Sequence, residues 1–166
     1  MSEIFYVRTS LEDVVNNSDA ILVGRLKKMS TLKVDIAPKG KSKDESKYPP
    51  YLRQRYQFEI VEVLFRRPAK LKIGKMIWVD RATYDNQLER HKLYYLKGLS
   101  ESPEYQSYAH SPEAEDSLNN KQPLLLFLGY YGGNFQFRFE NSYESLSQRA
   151  QVMKLIRKRE KKIDLE

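Results

Sequence analysis

Apolar residues fall along the chain in short runs and alternations of strand length, separated by charged stretches. Ile4 to Arg8 reads as a short edge strand. Thr9-Ser10-Leu11-Glu12-Asp13 then sets a serine N-cap with an acid three residues on, and Leu11, Val14 and Val15 share a helical face until Asn16-Asn17-Ser18-Asp19 ends it. Ala20 to Leu26 is a continuous apolar run, the pattern of a central strand, with Gly24 marking a bulge or a close backbone approach. Leu32, Val34 and Ile36 alternate with Lys33 and Asp35 and predict a further strand with one wet face. Arg55 to Phe65 predicts a strand whose phase slips at Ile60-Val61, where one extra residue, a β-bulge, bends the chain as small barrels require. Leu71, Ile73 and Met76 to Val79 give another strand.

Thr83 caps a predicted helix with Tyr84, Leu88, His91 and Tyr95 on one stripe and Gly98 just past its end. The clearest hairpin runs from Leu124 to Tyr131, turns at Gly132-Gly133, and returns through Phe135, Phe137 and Phe139. Ser142 then caps a terminal helix with Tyr143, Leu146, Ala150 and Met153 on one stripe and a basic end that suits the helix dipole. Residues 37–50, with three prolines, and the acidic residues 99–121, without periodicity, are expected to be mobile loops. This order of elements implies an α+β fold: a small curled antiparallel β-barrel of OB-like form, with short peripheral helices and a C-terminal amphipathic helix. At 166 residues, a single domain over 1–166 is the expectation.

Composition then works mostly by exclusion. With no cysteine and two histidines, disulfide frameworks, thiolate metal sites, cysteine nucleophiles and a three-histidine metal centre are ruled out, and no cofactor is expected. The longest apolar run, Leu124 to Leu128, falls far short of the ~20 residues of a membrane helix. Met1 to Tyr6 lacks a basic start and an apolar core, so a cytoplasmic location is the expectation, or a periplasmic or extracellular one if a signal peptide has been removed.

Charge points somewhere more definite. Lys and Arg outnumber Asp and Glu 29 to 22, a formal charge of +7, and the cations cluster. Arg53, Arg55, Arg66, Arg67, Lys70, Lys72 and Lys75 surround the bent strand, while a second group in the last helix, Arg149 to Lys162, reads as a solvated face. A cation field of this kind attracts acidic proteins, phosphate backbones or anionic lipid heads. Tyr130 and Tyr131, at a hairpin tip beside two glycines, are placed for recognition, whereas Tyr56, Phe58, Phe135 and Phe137 share the phase of core faces. No catalytic centre can be assembled: Asp80 with Asp85, and Glu59 with Glu62, read as surface carboxylates, and His91, on the stripe with Leu88 and Tyr95, as a hydrogen-bonded core or boundary histidine. His110 with Glu113 and Glu115 lacks the scaffold of a metal site.

Ser10 to Val15 followed by Ser18 to Leu26 resembles the opening of bacterial netrin-like/TIMP-like OB-barrel domains. Val61 to Phe65, Gly74 to Val79 and Leu124 to Leu128 are similar to that family's successive barrel strands, so the resemblance spans roughly residues 10 to 140. It implies a non-enzymatic β-barrel that presents loops to a partner. Inhibitor-type members reach a protease zinc through a disulfide-linked N-terminal cysteine, and a chain without cysteine cannot carry that mechanism. The expectation is therefore a non-catalytic protein-binding module of inhibitor or toxin-immunity type that caps an acidic protein partner through Arg53, Arg55, Arg66, Arg67, Tyr130 and Tyr131. The alternative is single-stranded nucleic acid binding through an OB-like barrel, with Tyr130, Tyr131 and Trp78 as stacking platforms and the same arginines as a rail.

Overall fold

Two strands begin with unbroken apolar runs because both of their faces are covered. The computed structural model describes residues 5–40, 44–98 and 104–165. In it β2 (Ala20–Val34) and β6 (Leu124–Tyr131) pair antiparallel and lie at the centre of a six-stranded sheet. β2 also pairs with β3 (Tyr51–Arg66), β3 with β4 (Met76–Asp80), and β6 with β7 (Asn134–Phe137), all antiparallel. β4 and β7 pair in parallel, so the pairings lead from β2 through β3, β4, β7 and β6 back to β2. β8 (Tyr143–Ser145) adds to β6.

One face of this sheet buries Leu22, Phe58, Val79, Leu126 and Phe137, and α3 (Pro112–Asn119) contributes Ala114 and Leu118 to the same cluster. The other face buries Ile21, Val23, Leu125 and Phe127 beneath Val14 and Val15 of α1 (Leu11–Asn17) and Val152, Leu155 and Ile156 of α4 (Arg149–Leu165). Each such side chain contributes about 1.5–3 kcal/mol on burial, and a strand clasped between two cores carries that contribution at every residue. α2 (Tyr84–Lys97) follows β4 and buries none of its residues, and its chain turns at Gly98, φ 62°. β1 (Phe5–Thr9) and β5 (Glu104–Tyr108) form a separate parallel pair.

The fold is thus mixed α+β, with a six-stranded sheet and a C-terminal helix. Four local expectations are corrected. The sheet is not wholly antiparallel, since β4 and β7 run together. The two strands expected over 20–26 and 32–36 are one, because after a bulge at Lys27 the residues Lys28 to Thr31 continue the ladder on β3 without a turn. Within 99–121, β5 and α3 replace much of the expected loop, and residues 99–103 lie outside the described ones. The Ser111 hydroxyl accepts the Ala114 N–H at 3.2 Å and Pro112 takes the first turn, a start signal strong enough to set an eight-residue helix among acids. Finally, Ser142 caps no helix. It is buried, donates to the Phe127 carbonyl at 2.7 Å, and leads into β8, so α4 begins only at Arg149 and buries Val152, Leu155 and Ile156 instead of the anticipated stripe.

The expected bulge is present: Val23 pairs with Glu62 and Gly24 with Ile60, which leaves Val61 over. Gly24 also meets the close approach its sequence position implied. A Cβ there would stand 3.0 Å from Leu126 Cδ1 and 3.1 Å from the Glu59 carbonyl oxygen, which is backbone and cannot swing aside. Gly24→Ala is expected to destabilise the protein by about 1–3 kcal/mol through overpacking, read as a lowered urea midpoint.

Candidate functional site

The turn Asn17 to Asp19, between α1 and β2, gathers two side chains and two backbone N–H groups from four distant segments. Arg159 of α4, only 8% exposed, donates to the carbonyls of Val15 and Ser18, both at 2.7 Å, and Arg138 donates to the carbonyl of Asn17 at 2.8 Å. Two guanidinium groups thereby satisfy the last carbonyls of α1, at the negative end of its dipole. The Asp19 carbonyl accepts the Arg67 N–H at 2.8 Å, and its carboxylate accepts the Tyr130 N–H at 2.8 Å. Desolvation and the neighbouring Arg67 hold the Arg159 guanidinium below its ordinary pKa.

This hub brings the stretch after β3 to the β6–β7 hairpin. That stretch, Arg66 to Lys75, holds Arg66, Arg67, Lys70, Lys72 and Lys75 and no acid, and all five are exposed. At the hairpin, Gly132 and Gly133 take φ of 60° and 80°, the left-handed pair that a two-residue turn demands. Tyr130 lies against Phe135, with ring centroids 4.9 Å apart, while Tyr131 is 65% exposed. Of the six residues singled out from the sequence, Arg67 and Tyr130 are thus tied through their backbone N–H groups to the same aspartate, with Arg66 and Tyr131 next to them in the chain.

Arg53 and Arg55 belong to another cluster. Arg53 grips Asp80 through both ends of its guanidinium, at 2.7 and 2.9 Å, and lies 3.9 Å from the Tyr84 ring centre. Arg55 Nε is 4.0 Å from the same carboxylate, is buried, and has no hydrogen-bond partner among the described residues. Its guanidinium and the Lys28 ammonium lie 5.1 and 5.4 Å from the Trp78 ring centre. Asp80 is 3% exposed, so it is no surface carboxylate but the anchor of an ion-paired cluster. Sequence reading missed this because Arg53 and Asp80 are 27 residues apart and meet only through the β3–β4 register. Glu59 and Glu62, by contrast, do serve surface ion pairs, with Arg25 and Arg149.

A third polar cluster forms where β5 and α3 meet β8. Glu144, 4% exposed, accepts from Tyr108 Oη at 2.9 Å, from Ser111 N and Oγ at 3.1 and 2.7 Å, and from Ser145 N at 2.6 Å. Glu115 accepts from Tyr143 Oη at 2.6 Å and stands 2.6 Å from His110 Nε2. These carboxylates are taken up by donors of the protein itself. No group of three or more His, Asp or Glu among the described residues is placed to hold a metal ion. His91 Nε2 lies 2.6 Å from the Pro49 carbonyl, and since α2 buries none of its residues it is the boundary histidine and not the core one of the two expected.

Burial, reinforced by Glu144 and Glu115 respectively, pushes the Tyr108 and Tyr143 hydroxyls well above their ordinary pKa. Both stay neutral in the folded state after their unfolded counterparts, near pKa of about 10, have ionised. The stability they confer is complete below that pH and is lost as pH rises, at about 1.4 kcal/mol per pH unit for each tyrosine. Alkaline titration should show their phenolate absorbance appearing only with unfolding.

No helix among the described residues is long and apolar enough to cross a membrane. No protein-family model, no curated protein and no solved structure matches this chain.

Proposed function

We propose that the chain is a non-catalytic binding module that caps an acidic protein partner, in the manner of an inhibitor or a toxin-immunity protein, through the surface gathered at Asn17 to Asp19. The observation that carries this reading is the acid-free stretch Arg66 to Lys75, tied at Arg67 through Asp19 to the hairpin that carries the exposed Tyr131. Uncompensated cations steer an acidic partner to the surface and suppress basic ones, and Arg and Tyr are the side chains that most often anchor interfaces. Arg53 and Arg55, tied to Asp80, enter this reading as supports of the scaffold and no longer as first contacts.

The nucleic-acid alternative has weaker support. Bases need successive open aromatic faces. Phe58, Phe135 and Phe137 are buried, Tyr56 packs against the same core, and Trp78 is flanked by two cations. We further read the ring of pairings as an OB-like barrel of the kind the netrin-like resemblance implies. In support, its five strands in chain order run 1-2-3-5-4-1 with the third and fifth parallel, and α3, between the third and fourth, packs into the inner cluster.

The test is capture of the tagged chain from its host's lysate with and without nuclease. The expected result is one stoichiometric acidic protein that survives nuclease and is lost with Arg66→Glu/Arg67→Glu, whose urea midpoint, measured alongside, separates lost binding from the lost Arg66 bond to the Leu71 carbonyl. Companions that vanish with nuclease would establish the alternative, and no companion at all would contradict both.

A further inference from the structure

β2 outruns its second neighbour. Its pairing with β6 spans only Ala20 to Gly24, because Pro123 offers no N–H to extend β6 backwards, while its pairing with β3 continues to Val34. After the bulge that leaves Lys27 over, Lys28 to Val34 run in unbroken register with Gln57 to Tyr51. Among the described residues nothing pairs with the other edge of these seven. In such a strand every second residue turns its N–H and C=O away from its one partner, a ready template for another chain. The companion edge of the ribbon is partly used, since the Gln54 carbonyl accepts the Arg81 N–H at 3.2 Å.

Charge selects the occupant. β2 contains Arg25, Lys27, Lys28 and Lys33 and no acid. Glu59 answers Arg25 and Lys27 together, at 3.3 and 3.7 Å, and Glu45 answers Lys33 at 3.7 Å, so among the described residues these four cations meet two carboxylates. A second copy of β2 would bring lysine against lysine, the device by which edge strands avoid self-pairing. An acidic strand meets no such repulsion. It would also find apolar footholds, since Met29 and Leu32, 61% and 45% exposed, flank the open edge.

We propose that an extended acidic segment of the partner protein adds as a strand to the free edge of β2 over Lys28 to Val34. The inference rests on the acidic-protein reading of the function and gives it a second point of attachment. The probe is a synthetic end-capped peptide alternating glutamate with valine and threonine, titrated into the full chain while amide hydrogen exchange is followed residue by residue. The expected result is saturable binding that slows exchange by about tenfold or more at alternate residues of 28–34, leaving the amides already bonded to β3 unchanged. The same peptide N-methylated at alternate residues keeps its charge but not its donors, and is expected to lose this protection. Lys28→Glu/Lys33→Glu is expected to weaken the unmodified peptide about tenfold. Binding felt at Arg66 to Lys75 with no change in β2 would overturn the edge proposal and leave the acidic-protein reading standing. Equal binding of a lysine-for-glutamate peptide would overturn both, as would no saturable binding together with failed capture of an acidic companion.

Discussion

Asp80→Ala is expected to destabilise the protein by about 3 kcal/mol, among the largest effects of any single polar substitution in the chain. The carboxylate is 3% exposed on β4 and faces Arg53, whose side chain is 17% exposed, and Arg55, at 25%. Arg53 gives it two short hydrogen bonds, and Arg55 Nε already lacks a partner among the described residues. Removal of the acid would leave two guanidinium groups, partly withdrawn from water, without the charge that justifies their position. The cost is one of uncompensated charge, not of a lost attraction, which makes it separable. Arg53→Met/Asp80→Leu, which takes away the acid with one of its two guanidinium groups and fills their volume, is expected to recover part of the loss, Arg55 remaining uncompensated. Urea midpoints of the two variants check this, and a cost below about 1 kcal/mol for Asp80→Ala would show that water already screens the cluster.

Phe58→Ala is expected to cost about 3–5 kcal/mol, the loss of a fully buried ring plus the cavity it leaves. Phe58 is 0% exposed, and its ring stands edge-on to Phe137 at 6.1 Å, bridging β3 to β7 across the intervening β4. Tyr56 reaches the same ring at 5.7 Å. Because Phe58 and Phe137 share one space, Phe58→Ala/Phe137→Ala should cost less than the sum of the two single changes. Thermal unfolding of the three variants measures both quantities, and additive losses would mean the two rings occupy independent parts of the core.

What the sequence disclosed follows from how far each signal reaches. The α1 cap, the Val61 bulge, the Gly132-Gly133 turn and the apolar runs of β2 and β6 are written in neighbouring residues, and each stands where its pattern placed it. Only Lys27 to Thr31 of the β2–β3 ribbon look like a break in the sequence, because a strand with one partner and two wet faces needs no apolar residues. α3 was legible in Ser111-Pro112 and in Ala114 with Leu118, but the surrounding acids and prolines masked it. Arg159 reads as one of the solvated cations of the last helix, although it is buried on the carbonyls of Val15 and Ser18, 141 residues or more away in the chain. Asp19 as the link between Arg67 and Tyr130, and Asp80 as the anchor of Arg53, depend on strand register, which no local pattern encodes.

The most direct measurement is calorimetric titration of the chain with its captured companion at 50 and 200 mM salt. A selective protein partner held at a cationic surface is expected to bind one to one and to weaken by about tenfold or less over that range. A loss of about a thousandfold or more, with several chains per companion, is the behaviour of phosphate contacts along a nucleic acid and would contradict the account.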